Sequence, residues 1–155
     1  MQHVILQMYN KKMRALDPPF ASSPKVSAAM RGNKSNDTYP ELFLRSALWR
    51  SGIRGYRKHL LNLPGRPDIS FPRYRLAVFV HGCFWHRCPN CNIPIPRTNT
   101  SYWEAKLNSN IERDKRIFRQ LEQIGWKAMR IWECEIHRSV EKCVQKVYQK
   151  IKKLS

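Results

Sequence analysis

Leu76-Ala77-Val78-Phe79-Val80-His81-Gly82-Cys83-Phe84-Trp85-His86-Arg87-Cys88-Pro89-Asn90-Cys91 joins two kinds of sequence without a break. Leu76 to Val80 is a continuous apolar run, the pattern of a strand buried on both faces. From His81 onward the composition changes. Two histidines suited to handling protons or phosphate, three thiols at metal-site spacing and the adjacent aromatics Phe84 and Trp85 follow at once. A buried strand running straight into such a loop puts reactive groups at a strand end, which predicts an α/β domain.

Working outward, Leu63-Pro64-Gly65 and Phe71-Pro72-Arg73 are turn signals that separate shorter β-type segments at Tyr56 to Leu60 and at Pro67 to Phe71. Upstream, Asp37-Thr38 is a plausible N-cap, with Pro40 in the first turn and Glu41 three residues after Thr38. Leu42, Leu44, Ala47 and Leu48 supply the apolar stripe of a helix ending near Ser51-Gly52. Downstream, Pro94 and Pro96 hold an irregular loop. A second helix starts at Asn99 to Ser101 and runs to about Gln123, with Gly125 closing it. Trp126 to Trp132 reads as a further strand, with both tryptophans in the core, and Val140 to Leu154 as a lysine-rich helix. The expected architecture is a small mixed sheet flanked by helices, carrying a zinc-stapled loop. Residues 1–36 are breaker-rich and basic, and are expected to form an arm that is partly disordered without DNA; residues 37–155 form the folded domain.

The chain has 155 residues, enough for one domain, and a formal net charge of +18. Solubility does not require so large an imbalance, and phosphate neutralisation by a nucleic acid would relieve the self-repulsion. Lysines and arginines are spread through the chain and do not form one amphipathic helix, which argues against a membrane surface. No apolar run approaches the roughly 18 residues of a membrane span, and the N-terminus lacks the basic start and cleavage site of a signal peptide. A reducing intracellular setting is expected, where five cysteines read as metal ligands or free thiols before disulfides.

Cys83-x4-Cys88-x2-Cys91 supplies three thiolates, and structural zinc takes four nitrogen or sulphur ligands in a tetrahedron. Cys134, just after the last strand, is the preferred fourth ligand. His86 and Cys143 compete with it, although Cys143 shares the apolar side of the last helix with Val140, Val144 and Val147. A second constellation begins at Gly65-Arg66-Pro67-Asp68, which enters a strand while the next strand runs out into His81. Many Mg²⁺-dependent nucleases set a carboxylate on one strand beside a polar residue on the next. The layout is that of a PD-(D/E)xK core, with two departures: Phe79 stands where an acid is expected and His81 where a lysine is. The metal is then left to Asp68, a backbone carbonyl, water and Glu41.

Together these motifs resemble the Vsr family of very-short-patch-repair endonucleases. The likeness is carried by Thr38-x-Pro40-Glu41, by Leu63-Pro64-Gly65-Arg66-Pro67-Asp68 and by Val78 to His86. It continues through Asn99-x3-Trp103-x2-Lys106, Asn110-x2-Arg113-Asp114 and Gly125-Trp126…Trp132-Glu133-Cys134. The resemblance implies a restriction-endonuclease-like fold and an enzyme that nicks double-stranded DNA 5′ to the thymine of a T·G mismatch, with Mg²⁺ for catalysis and a structural Zn²⁺. It implies that Asp68 and the Val80 carbonyl hold the Mg²⁺, that His86 is the general base or positions water, that His81 stabilises the phosphate, and that Glu41 acts through water. The family commonly has a histidine among its zinc ligands; Cys83, Cys88, Cys91 and Cys134 would make this site all-cysteine. It also implies a monomer in the prokaryotic cytoplasm, associated with the nucleoid, with other mismatch-repair proteins as further partners.

Phe84 and Trp85, tethered between thiols, have the rigidity that wedging into a base stack requires; the resemblance adds Trp103 as a third intercalating ring. Arg87, Arg97, Lys106, Arg113, Lys115 and Arg116 are the candidate DNA-phosphate contacts, while most basic residues of the last helix read as a solvated face. Two other functions are compatible with the same residues: a nuclease of this fold with another site specificity, and a zinc-stapled DNA-binding protein that does not cut.

Overall fold

A computed structural model describes residues 36–155. The arm expected at 1–36 lies, except for Asn36, outside the described residues. Helix α1 (Tyr39–Arg50) is followed by strand β1 (Ile69–Phe71), a 3-10 turn (Pro72–Tyr74) and strand β2 (Leu76–His81). Helix α2 (Thr100–Gln123), strand β3 (Lys127–Trp132) and helices α3 (Glu133–Arg138) and α4 (Val140–Leu154) complete the order. The sheet order is β1-β2-β3, antiparallel between β1 and β2 and parallel between β2 and β3. The mixed sheet flanked by helices is therefore as expected.

The sequence pattern explains why β2 is central. Its burial is continuous from Leu76 to Phe79 because both faces are covered. Leu76 and Val78 face a core built with Leu44, Leu48, Ile69, Phe71 and Ile131, closed by Ile136, Val140 and Val147. Ala77 and Phe79 face the other side, against Leu63 and Leu121, with Ile117 and Phe118 of α2 packed around them. Cys143 lies in the first of these cores. Among the described residues no helix is long and apolar enough to cross a membrane.

Several expected elements differ. The segment Tyr56 to Leu60 makes one isolated bridge, Arg57 with Ser70, and no strand. His59 then takes a φ of 50°, and this left-handed turn ends the ladder. The strand expected from Pro67 begins only at Ile69. Extending the register puts Pro67 opposite Val80, but the Pro67 carbonyl accepts from the His59 N–H at 3.2 Å. The Val80 N–H donates instead to Asp68 Oδ2 at 2.7 Å. Leu42 is half exposed, so the stripe of α1 is carried by Leu44, Ala47 and Leu48. Trp126 and Trp132 are only partly buried, and Trp132 lies under the Arg130 guanidinium. Helix α3 was not expected. Glu135 starts it by accepting the Trp132 N–H at 3.0 Å, a capping contact at a site with no Ser, Thr, Asp or Asn to announce it.

Gly65 sits at a close crossing. Its φ is +74°, and a Cβ placed there would lie 2.5 Å from Ile117 Cγ2 on α2. The turn leading to Asp68 is thereby pressed directly onto the long helix. Gly65→Ala is expected to cost about 1–3 kcal/mol through the left-handed backbone and overpacking together. Urea denaturation measures this, and Ile117→Ala in the same background should recover the overpacking part.

Candidate active site

Asp68 stands where β1 would otherwise have continued. Burial pushes its carboxyl up to about 6 against the lowering effect of the Val80 N–H, and the nearby charge of Glu41 adds to the rise. A residue in a strand turns its N–H and C=O to the same side, so the Val80 carbonyl also faces Asp68. Two acids and a carbonyl brought together, one of the acids reluctant to ionise alone, form an oxygen-rich place for a hard cation. Glu41 is buried and held from both ends: Thr38 Oγ1 donates to its Oε1 at 2.7 Å and the Asp37 N–H to its Oε2 at 2.9 Å. The expected cap is thus inverted, the helix acid accepting from the residues before it.

Asp37, Glu41 and His59 also bring ligand atoms within 4.8 Å of one another. That trio already contains a cation. The Arg45 guanidinium is bonded to Asp37 and lies 3.7 Å from Glu41 Oε2, and His59 Nε2 is 3.3 Å from Asp37 Oδ1.

Where β2 ends, one residue beyond Val80, the ring of His81 stacks on that of His86 at 3.9 Å with 16° between planes. Asp114 of α2 joins them, its Oδ2 2.5 Å from His86 Nδ1 and 3.8 Å from His81 Nδ1. Burial acts to raise the Asp114 carboxyl, but the hydrogen bond from His86 leads the effects that outweigh it and hold the group below its ordinary value. An ionised carboxylate can only accept, so a His86 proton sits on Nδ1, and Nε2 is the ring nitrogen left clear of the carboxylate. His81 is buried, its Nδ1 has no hydrogen-bond partner, and burial together with His86 pushes its pKa down to about 3. It is therefore neutral near pH 7, and any help it gives a phosphate comes from a neutral imidazole.

Asp114 carries no role in the sequence reading although it stands in one of the quoted motifs. The available signal was a polar pair at i and i+4: Asn110 and Asp114 are both buried on one face of α2. Asn110 Nδ2 donates to the Trp85 carbonyl at 3.0 Å while Asp114 takes the His86 ring. One helix face thus grips two successive residues of the loop.

The sulphurs of Cys83, Cys88, Cys91 and Cys134 lie within 4.8 Å of one another. Thiolates about 2.3 Å from a tetrahedral zinc stand roughly 3.8 Å apart, and Cys88 Sγ to Cys134 Sγ is 3.7 Å. The donor set and spacing fit zinc. Burial pushes Cys83 upward and Cys134 to about 11, protons that a dication would displace. The loop is also tied by backbone: Cys88 N–H to the Cys83 carbonyl at 2.9 Å, Cys134 N–H to Cys83 Sγ at 3.4 Å and Cys83 N–H to Glu133 Oε2 at 3.2 Å. Of the competing ligands, His86 is engaged by Asp114 and Cys143 is in the core.

Phe84, Trp85 and Trp103 form one half-buried cluster, with centroids 5.2, 5.6 and 6.0 Å apart. Arg87, Arg97, Lys106 and Arg113 are all exposed on the loop and α2 around it.

The buried histidine gives a signed pH dependence. The folded pKa of His81 lies below its unfolded value of about 6.5, so its contribution is complete above that value and is lost as pH falls toward 3. Going from pH 7 to about pH 4.5 should cost wild type about 2–3 kcal/mol more than His81→Gln, read from urea midpoints at the two pH values.

Comparison with known proteins identifies the family. The family described as DNA mismatch endonuclease Vsr matches residues 21–92. The type II nicking enzyme V.NaeI of Lentzea aerocolonigenes is 44% identical over 114 residues, covering 70% of this chain and 68% of that protein. The type II nicking enzyme V.NmeAIP of Neisseria meningitidis is 40% identical over 117 residues, 74% and 81% of the two chains. The DNA mismatch endonuclease Vsr of Escherichia coli is 38% identical over 110 residues, 71% and 70%. Identity at this level over more than two thirds of each partner establishes that the chain is an endonuclease belonging to the Vsr family of DNA mismatch endonucleases.

Proposed function

We propose that this endonuclease nicks double-stranded DNA 5′ to the thymine of a T·G mismatch, in very-short-patch repair, on a PD-(D/E)xK-type core. The observation that carries the reading is the pairing of Asp68, bonded to Val80, with His86, braced by Asp114 at the end of the same strand. A carboxylate bonded to the strand and a proton acceptor in the loop that leaves it are thereby each held in place. The printed names of the relatives, a mismatch endonuclease and nicking enzymes, support the same chemistry.

Asp68, the Val80 carbonyl and, through water, Glu41 would hold Mg²⁺, which when bound supplies Lewis-acid polarisation of the scissile phosphate. His86 Nε2 takes the proton of the attacking water, and Asp114 stabilises the imidazolium that results. His81, stacked on His86, donates a neutral hydrogen bond to the phosphate. Phe84, Trp85 and Trp103 enter the stack beside the mismatch, where unstacking is cheapest, while Arg87, Arg97, Lys106 and Arg113 neutralise phosphates. Cys83, Cys88, Cys91 and Cys134 would hold Zn²⁺ in a closed site that takes no part in the reaction. The proposal includes residues 1–36 as an arm along the duplex and 37–155 as one domain. It also includes a monomeric state, a place at the nucleoid of a prokaryotic cytoplasm, and contact with other repair proteins. The nicking-enzyme names favour a second reading, the same chemistry with another site specificity.

A nicking assay on duplexes with T·G, matched C·G and other mismatches, with Mg²⁺ and with EDTA, separates the readings. Cleavage of T·G alone, abolished by EDTA, is expected; equal cutting of matched DNA would sink the mismatch assignment. Asp68→Ala should lose all detectable nicking. Asp114→Asn should lower the single-turnover rate by about 10²–10⁴ with DNA affinity nearly unchanged, and a full rate in either variant removes that residue from the mechanism. For zinc, purified wild type and Cys143→Ser should each hold one equivalent by elemental analysis and Cys134→Ser much less. Equal zinc in all three would refute the four-cysteine assignment.

A further inference from the structure

The sheet stops at β3, and among the described residues only β2 pairs with it. The Lys127 N–H reaches the Arg75 carbonyl at 2.8 Å, on the β2 side. By strand alternation Met129 and Ile131 point the same way, while Ala128, Arg130 and Trp132 turn their N–H and C=O groups to the open edge. Beside that edge, a groove of about 610 Å³ runs between Ala128–Met129 and α4. Its helical wall is Lys142, Lys146, Lys150 and Lys153, with Gln145 and Gln149 between them. None of these residues belongs to the candidate active site.

We propose that this edge binds an acidic, extended peptide segment of a partner protein as an added strand, its backbone on Ala128 and Arg130 and its carboxylates on the lysine wall. Glu135 already displays the chemistry within the chain. Its Oε2 accepts the outward Trp132 N–H at 3.0 Å while its Oε1 pairs with Lys146, so one carboxylate spans the strand edge and the lysine row. Charge decides among occupants. A second copy brings another +18. Residues 1–35 carry Lys11, Lys12, Arg14, Lys25, Arg31 and Lys34 against the one acid Asp17. Lysines beside an edge repel basic strands and attract an acidic one. A duplex offers phosphates but no regular backbone ladder for Ala128 and Arg130, whereas an added strand satisfies both features at once.

The test uses the full chain and a short fluorescent peptide alternating valine with glutamate, beside its lysine-for-glutamate counterpart. Fluorescence anisotropy should show binding of the acidic peptide only, and NMR-detected hydrogen exchange should show slowed amides at Ala128 and Arg130. The double substitution Lys142→Glu, Lys150→Glu should weaken binding by at least about tenfold with DNA nicking unchanged. No binding at millimolar peptide, undiminished affinity in the double variant, or binding that leaves both amides unprotected would each overturn the proposal. So would a short DNA duplex that protects the same amides better than the peptide does, which would assign the groove to nucleic acid. Amide protection in the wild-type chain remains decisive should the double variant fold poorly.

Discussion

The bond from the Val80 N–H to Asp68 Oδ2 is a sheet rung transferred from backbone to side chain. β1 has only three residues, and its ladder ends because Pro67 offers no N–H and gives its carbonyl to His59. A buried central N–H left unpaired would cost about 1–3 kcal/mol, and the Asp68 carboxylate satisfies it. The same contact fixes that carboxylate against the strand that ends in His81, so sheet stability and site geometry rest on one interaction. A carboxylate placed there is itself strained electrostatically, as its raised pKa shows. That is the condition of a group shaped to receive a cation.

Helix α2 solves a related problem on the opposite side. The loop from Gly82 to Cys91 has no strand to hold it, and its residues include a left-handed Arg87 with φ of 53°. It is fixed instead from three directions: by its own backbone turns, by the sulphur cluster that draws in Cys134 from the end of β3, and by Asn110 and Asp114 reaching across from α2. Asn110 and Asp114 are buried polar groups on a helix, which is costly unless each finds a partner. Each finds it in the loop, and the long helix and the loop are therefore specified together. The three-ring aromatic cluster sits between these anchors and takes its rigidity from them.

Much of the fold was written in local pattern. The continuous apolar run of β2, the Gly125 stop and the amphipathic α4 each announce themselves within a few residues. The four cysteines and Asp68 could be placed because their residue types are chemically specific and closely spaced. What the sequence did not disclose depends on backbone conformation or on pairing between distant segments. Nothing in Tyr56 to Leu60 says that His59 turns left-handed, so a strand pattern collapses to a single bridge. Nothing around Trp132 marks a helix start, because Glu135 supplies the cap from inside the helix. Asp114 looks like one more polar residue on a basic helix until α2 is laid against the loop. The burial of His81, which with the stacked His86 keeps it neutral, likewise exists only in three dimensions.

Charge placement shows how these parts act together. The chain holds 11 acidic residues against 29 basic ones, and three of the acids, Glu41, Asp68 and Asp114, are withdrawn from solvent at the candidate site. Exposed positions on the loop and α2 are occupied instead by Arg87, Arg97, Lys106 and Arg113. The long-range field is therefore positive, and on the proposed function it would steer a duplex in, with counterion release adding affinity on contact. Locally that field is offset where Asp68 and Glu41 gather, with the Arg45 guanidinium beside Glu41. An acidic centre inside a positive surface would repel the scissile phosphate unless a cation stood between them, so on the proposed mechanism binding at the reactive position would depend on that cation while approach to the duplex would not. On that reading affinity and chemistry would be carried by separate sets of charges.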